Sequence, residues 1–99
     1  AMEALDLLPV RRDFAFILDR KVLAADVMKA AASADKTLIS DVSVFDVFEG
    51  AALGEGKKSI ALEVTMQPRD KTLTESQIES VAAKIIAQVE KATGGRIRG

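Results

Sequence analysis

The clearest two-residue period in this 99-residue chain lies in 58-KSIALEVTMQ-67. Apolar side chains take every second position: Ile60, Leu62, Val64 and Met66. This alternation indicates a β-strand with one face on a core and the other in solvent. Pro68 ends the strand, since proline cannot donate to a sheet ladder.

Three other segments predict strands around this one. Residues 12–19 repeat the two-residue period, and residues 38–48 are rich in the β-branched and aromatic side chains that favour a pleated sheet. The glycine-rich segment 49–56 lets the chain reverse between the second and third strands. Residues 96–99 are left as a short terminal strand.

Two amphipathic helices separate the strands. Residues 23–34 place small and apolar side chains on one helical face: Val27, Ala30, Ala31 and Ala34. Thr74 and Gln77 have the spacing of a capping box, which predicts the start of the second helix. Its apolar stripe is Ile78, Val81, Ala82, Ile85 and Val89, and Gly94-Gly95 ends it.

The predicted element order is therefore β-α-β-β-α-β. Both helices must cover the same side of one sheet, because each has a single apolar face. Right-handed crossovers then give an α+β, ferredoxin-like fold: a four-stranded antiparallel sheet of order 4-1-3-2 with two helices on one face. The other face of the sheet is left open.

Composition excludes most enzyme classes. The chain has no cysteine and no histidine, so thiol nucleophiles, thiolate zinc sites and histidine-dependent catalysis are absent. With 14 Lys and Arg against 15 Asp and Glu, it is also no polycation that would bind nucleic acid over its whole surface. We therefore expect a binding or structural domain that has no catalytic site and whose cations act as local patches.

Neither a membrane span of about 18 apolar residues nor a charged-then-apolar leader is visible, which favours a cytoplasmic location. Ala1-Met2 has the character of a cloning remnant. We expect residues 1–8 to be a remnant or linker and residues 9–99 to be the domain.

The predicted topology gathers cations at both ends of the sheet. The start of the first strand and the ends of the third and fourth share one end, with Arg11, Arg12, Arg69, Lys71, Arg98 and Lys36. Asp13, Asp70 and Glu75 partly neutralise it. The opposite end collects Arg20, Lys21, Lys57 and Lys58 against Asp19, Glu49 and Glu55. The cations at either end could contact phosphates, or they could be ordinary solvated surface charges.

The open face carries small and polar side chains from strands one and three: Asp13, Ala15, Ser59, Ala61 and Glu63. An aromatic ring beside them would stack on an unpaired base. In strand two, Asp41 and Ser43 favour Phe45 outward, whereas Asp46 favours Phe48 outward. A β-bulge between 43 and 46 would reconcile the two patterns. Both rings could instead belong to the core.

Five local strings, in this order and spacing, resemble the ferredoxin-fold anticodon-binding domain of the bacterial phenylalanyl-tRNA synthetase β subunit. They are 11-RRD-13, 45-FDVFEG-50, 56-GKKSIA-61, 70-DKTLT-74 and 97-IRG-99. The resemblance covers about residues 9–99. It implies that the domain binds the anticodon stem-loop of phenylalanine tRNA, with the first anticodon base, a guanine, on the open sheet face.

The resemblance also implies roles for particular residues. Phe48 takes the place of the stacking aromatic, usually tyrosine in this family, which implies that Phe48 points outward. Asp46 and Ser59 correspond to groups that read the polar edge of the base, and Ala15 lies under the same surface. A carboxylate suits guanine because it accepts from the ring N–H and the amino group. We add Arg11, Arg12 and Arg98 as RNA-binding cations.

For the complete enzyme, the family implies ATP-dependent aminoacylation with Mg²⁺, an α subunit and a heterotetramer; this domain itself needs no cofactor or metal. The isolated domain is expected to bind RNA weakly and in a salt-sensitive way. The alternative is a ferredoxin-like protein-interaction or regulatory domain that uses its open face to dimerise or bind a small ligand. An acylphosphatase-like enzyme is discarded, because the chain contains no asparagine to complete a phosphate cradle.

Overall fold

The computed structural model describes residues 8–50, 53–69 and 71–98. Its elements are β1 (Val10–Asp19), α1 (Ala24–Ala32), β2 (Ile39–Phe48), β3 (Lys57–Met66), α2 (Glu75–Thr93) and β4 (Arg96–Ile97). The predicted order is confirmed, and the predicted bounds differ from these by at most two residues. Predictions that concern residues 1–7, Asp70 and Gly99 lie outside the described residues.

The sheet has the order β2-β3-β1-β4, with each neighbouring pair antiparallel. Read from the other side this is 4-1-3-2, so the predicted ferredoxin-like α+β fold is confirmed. β1 and β3 pair along ten residues each, from Val10 opposite Met66 to Asp19 opposite Lys57. Because β2 pairs with β3 and β4 with β1, this central pair determines which residues of the four strands lie side by side on the open face.

One face of the sheet forms the core with both helices. The four apolar positions that set the period of β3 are fully buried: Ile60, Leu62, Val64 and Met66. α1 covers them with Val27, Ala30 and Ala31, and α2 with Ile78, Val81, Ile85 and Val89. Because both helices lie on this side, neither of them covers the opposite face of the sheet. No helix in the described ranges combines the length and apolarity of a membrane span.

The ends of α2 have the predicted chemistry. The Gln77 backbone N–H donates to Thr74 Oγ1 at 3.1 Å, and the Thr74 N–H donates to Gln77 Oε1 at 2.9 Å, which completes the capping box. At the other end Gly94 has φ 74°, a left-handed conformation that glycine adopts without steric cost. Gly95 follows and leads the chain directly into β4.

Candidate nucleic-acid interface

β2 contains the bulge that the sequence pattern suggested. Val44 lies opposite Leu62 of β3, but Asp46 lies opposite Ala61, so Phe45 is an extra residue without a partner of its own. Two residues of β2, Phe45 and Asp46, therefore oppose one residue of β3. A bulge between 43 and 46, which the sequence left open as a way to reconcile its two patterns, is therefore present. A second register shift, between Ile39 and Asp41, was not predicted.

The bulge turns both phenylalanines of β2 toward the open face. Val44 is on the helix side, so alternation places the next residue, Phe45, on the open side. Phe48 is opposite Ser59 on the open side, and counting back by two puts Asp46 there as well. Phe45 is 59% exposed and Phe48 is 47% exposed. The outward orientation of Phe48 is confirmed, and the alternative that both rings belong to the core is wrong.

Two rows of side chains cross the open face from β2 to β4. The first row consists of Asp46, Ala61, Ala15 and Arg98. The second row consists of Phe48, Ser59, Ile17 and Arg96. The middle of the first row is two alanines, the middle of the second is Ser59 and Ile17, and each row has an arginine on the β4 side. At a spacing of 4.7–4.9 Å between strands, each row spans about 14 Å of backbone. We call these eight residues the reading surface.

Arg98 reaches the reading surface because β4 is short. The Arg98 backbone N–H donates to the Ala15 carbonyl oxygen at 2.6 Å, in the middle of β1. The sequence prediction grouped Arg98 with Arg11 and Arg12 at the start of β1, and this placement is wrong. β4 begins directly after Gly95, opposite Ile17, and consists of two residues, so it never reaches the end of the sheet.

Ser59 lies within the reading surface but is only 5% exposed. Phe48 is opposite it on one side and Ile17 on the other. The guanidinium of Arg98 crosses β1 and donates from Nη1 to Ser59 Oγ at a long 3.5 Å. A bond of this length is weak. A base that uses this hydroxyl therefore has to displace a side chain, but at little cost in energy.

Arg11 shares the open face with the reading surface but lies away from it. It is opposite Thr65 and four residues from Ala15, about 13 Å along β1. Its Nε is 4.0 Å from Glu63 Oε1, and both side chains are exposed. Exposed ion pairs contribute at most about 1 kcal/mol to stability, so this guanidinium is free to exchange partners.

Arg12 points to the other side of the sheet. Its partner in β3 is Val64, a core residue, and its Nη2 is 3.9 Å from Glu75 Oε1 at the start of α2. The structure therefore divides the sequence-predicted RNA-binding residues. It brings together Ala15, Asp46, Phe48, Ser59 and Arg98, and it leaves Arg11 at the end of the open face and Arg12 on the helix side.

Arg69 and Lys57, which belong to the two predicted cation clusters, lie at opposite ends of the sheet, as predicted. Arg69 donates from Nε to the Thr37 carbonyl at 2.8 Å, which places Arg69 beside Lys36. At the opposite end Asp19 faces Lys57. The Lys21 backbone N–H donates to Asp19 Oδ1 at 2.9 Å, the main reason why the pKa of Asp19 lies below its ordinary value.

Gly50 sets where the ring of Phe48 lies. A Cβ atom built on Gly50 would be 3.0 Å from Phe48 Cζ and 3.2 Å from Cε2. Gly50 is not among the glycines with positive φ, so its backbone conformation is open to other residues. The absence of a side chain at this position is therefore what lets the ring lie against the chain after β2.

We expect Gly50→Ala to displace the ring of Phe48 while changing the free energy of unfolding by less than about 1 kcal/mol, since an exposed side chain can move aside. Gly56→Ala is a control with the opposite properties: the added Cβ has no atom within 4 Å, but the backbone φ of 74° is unfavourable for alanine. That variant should lose stability and leave the ring in place. NMR ring shifts and urea unfolding measure both effects; unchanged ring shifts in Gly50→Ala would contradict the contact.

Comparison with known proteins identifies the family of the chain. The model of the ferredoxin-fold anticodon-binding domain matches residues 8–98. A phenylalanine–tRNA ligase β subunit of Rhodopseudomonas palustris is 59% identical over 99 residues, which are 100% of this chain and 12% of that protein. The β subunit of Bradyrhizobium diazoefficiens is 60% identical over 90 residues, 91% of this chain and 11% of that protein.

The chain thus spans about an eighth of the length of the curated relatives it matches. A third relative, the phenylalanine–tRNA ligase β subunit of Paramagnetospirillum magneticum, is 58% identical over 98 residues, 99% of this chain and 12% of that protein. The family match extends over both helices and all four strands, including every residue of the reading surface. The chain belongs to the family of ferredoxin-fold anticodon-binding domains.

Proposed function

We propose that this chain is the anticodon-binding module of a phenylalanine–tRNA ligase β subunit, and that its reading surface binds the anticodon loop of phenylalanine tRNA. The observation that carries the proposal is the juxtaposition of an exposed aromatic ring, a carboxylate and an arginine around two opposed alanines on one open face. The names of relatives at 58–60% identity support the choice of tRNA.

Stacking on Phe48 holds the base. Sequence-specific RNA recognition mostly uses unpaired bases that stack on aromatic side chains and are read along their polar edges. Phe48 is 47% exposed, and the row beside it contains Ala61 and Ala15. These small side chains leave the space above the sheet open to a flat ring. In this arrangement the first anticodon base, a guanine, stacks on Phe48.

Hydrogen bonds between the base and the side chains of Asp46 and Ser59 identify that base. Guanine presents a ring N–H and an amino group along one edge, and the Asp46 carboxylate accepts from both. Ser59 Oγ donates or accepts once Arg98 has moved from it. Arg98 then has its guanidinium free for the phosphate that follows the base, a charge-assisted contact.

The rest of the ligase supplies what this domain lacks. A formal charge of −1 gives little general attraction for RNA, so other parts of the β subunit and the α subunit hold most of the tRNA. ATP and Mg²⁺ belong to aminoacylation elsewhere in a cytoplasmic heterotetramer. On this proposal the domain contributes recognition to a reaction that it does not catalyse.

We expect Phe48→Ala in the complete ligase to lower kcat/KM for phenylalanine tRNA by about 5- to 150-fold, because stacking contributes about 1–3 kcal/mol per base. Phenylalanine activation, measured by pyrophosphate exchange without tRNA, should be unchanged. Phe48→Tyr is the matched control and should retain activity, since the ring is kept. An equal loss of aminoacylation and activation would reject the proposal.

A further inference from the structure

Exposed apolar side chains are concentrated on β2. Five large hydrophobic residues are exposed in the described ranges, and three of them lie within four positions of this strand: Phe45, Val47 and Phe48. Single exposed hydrophobic residues are common on protein surfaces, whereas two that share a face, as Phe45 and Phe48 do, point to a contact. Phe45 is the more exposed of the two rings, at 59% against 47%, and the function proposed above assigns it no role.

The bulge is what gives Phe45 its position. Positions 45 and 48 differ by an odd number, so in a regular strand their side chains would lie on opposite faces. The extra residue cancels that difference and places both rings on the open face, with Asp46 between them along the strand. The same irregularity that aims Asp46 at the reading surface therefore creates a second exposed aromatic beside it.

We propose that Phe45 is a second stacking surface, which binds the unpaired base next to the one stacked on Phe48. This inference rests on the proposed function and extends the reading surface from one base to two. The two ring positions are at most about 10 Å apart along β2. Neighbouring bases at that separation are no longer stacked on each other, so each needs a ring of its own.

The place of β2 in the sheet leaves room for the second base. β2 is the edge strand, with β3 as its one neighbour in the described sheet. A nucleotide next to Phe45 meets no further strand on the outer side. Every base has a π face, so stacking here adds affinity with little sequence preference. Phe48 with Asp46 then selects the base, and Phe45 holds its neighbour.

Val47 provides the matched control. It is 50% exposed on the same strand, but it lies opposite Ile60 and so faces the helix side. If Phe45 docked another protein domain, Phe45→Ala would weaken the assembled ligase, whereas Val47→Ala, on the other face, controls for the loss of an exposed apolar side chain from β2. If Phe45 stacks on RNA, only its removal weakens tRNA binding, and the assembly is unaffected.

The test uses the complete ligase and phenylalanine tRNA with 2-aminopurine at one anticodon-loop position at a time. Phe45→Ala should weaken tRNA binding about 5- to 150-fold, as expected for one stacked base. It should also change the fluorescence at a position adjacent to the one that Phe48→Ala affects. Phe45→Trp should retain both properties, whereas Phe45→Leu, apolar but without a π face, should not. Val47→Ala should bind like wild type.

The outcomes separate the two proposals. If Phe48→Ala weakens binding and Phe45→Ala does not, the second stacking surface is rejected and the anticodon function stands. Perturbation of one and the same loop position by both variants also rejects it, as does dissociation of the ligase by Phe45→Ala, which indicates a protein contact. If neither variant affects tRNA binding, the proposed function itself fails.

Discussion

Replacing Gly95 with alanine is expected to destabilise the domain by about 1–3 kcal/mol and to detach β4 from β1. The added Cβ would lie 2.9 Å from the Ile17 carbonyl oxygen and 2.9 Å from Leu18 Cδ2. A backbone oxygen cannot rotate away as a long side chain can, so the strand itself must move. Gly95 is not among the glycines with positive φ, and its role is therefore close approach between strands.

Hydrogen exchange at the Arg98 amide measures this effect directly. That amide donates to the Ala15 carbonyl, so its protection should fall more than the protection of the β1–β3 ladder. Gly94→Ala is a suitable control: Gly94 has φ 74° but no atom within 4 Å of the added Cβ. It should cost a similar free energy and leave β4 paired. Unchanged protection at Arg98 in Gly95→Ala would refute the close-approach argument.

On the proposed function, losing this pairing has a large consequence, because Arg96 of β4 and Arg98, which follows it, are the two arginines of the reading surface. Arg96 lies opposite Ile17 and Arg98 opposite Ala15 only while the strand is paired. Gly95→Ala should therefore weaken tRNA binding by the complete ligase as much as removal of both guanidinium groups does. On the proposed function, Gly95 thus links the packing of the sheet edge to the binding of RNA.

The parts of the fold that were predictable from sequence are those set by local pattern. The alternation in 58–67 identified the central strand and its buried face. The spacing of Thr74 and Gln77 located the start of α2, because the capping box is formed by side chains and backbone groups within one turn. Helical periodicity identified the buried stripes for the same reason.

The unpredicted parts depend on contacts between distant residues. Alternation along β2 predicted one orientation from Asp41 and Ser43 and the opposite one from Asp46. The pairing with β3 shows that the first orientation is correct before the bulge and the second after it. For this reason the sequence left the orientation of Phe45 open, although the outward pattern of Asp41 and Ser43 favoured its exposure. The position of Arg98 depends in turn on which residue of β1 lies opposite the start of β4, which no periodicity encodes.

The family resemblance predicted which residues form the site, but their relative positions follow only from the register of the strands. Asp46, Ala61 and Ala15 lie in one row although they come from three different strands. Arg12 is adjacent to Arg11 in sequence, yet the two lie on opposite faces, since neighbouring residues of a strand alternate. A cluster of cations in the sequence is therefore a poor guide to which of them reach the same ligand.

Asp46→Ala is expected to abolish most of the preference for guanine at the first anticodon position, a loss of about 10- to 150-fold. Hydrogen bonds to a charged group contribute about 1.5–3 kcal/mol each. Asp46 is exposed, and no ion pair to it exists in the part of the chain that the structure describes. Its carboxylate is thus available to the base without first losing a cation.

Inosine at that position separates recognition from general binding. It keeps the ring N–H of guanine but lacks the amino group, so the wild-type ligase should use inosine-containing tRNA less well. In Asp46→Ala the ratio of kcat/KM for guanosine and inosine should approach one, because the group that accepts from the amine is gone. Asp41→Ala, on the same face but opposite Thr65, should keep the wild-type ratio. If Asp46→Ala keeps it as well, the carboxylate does not read the base, and recognition must come from Ser59 and the shape of the stack.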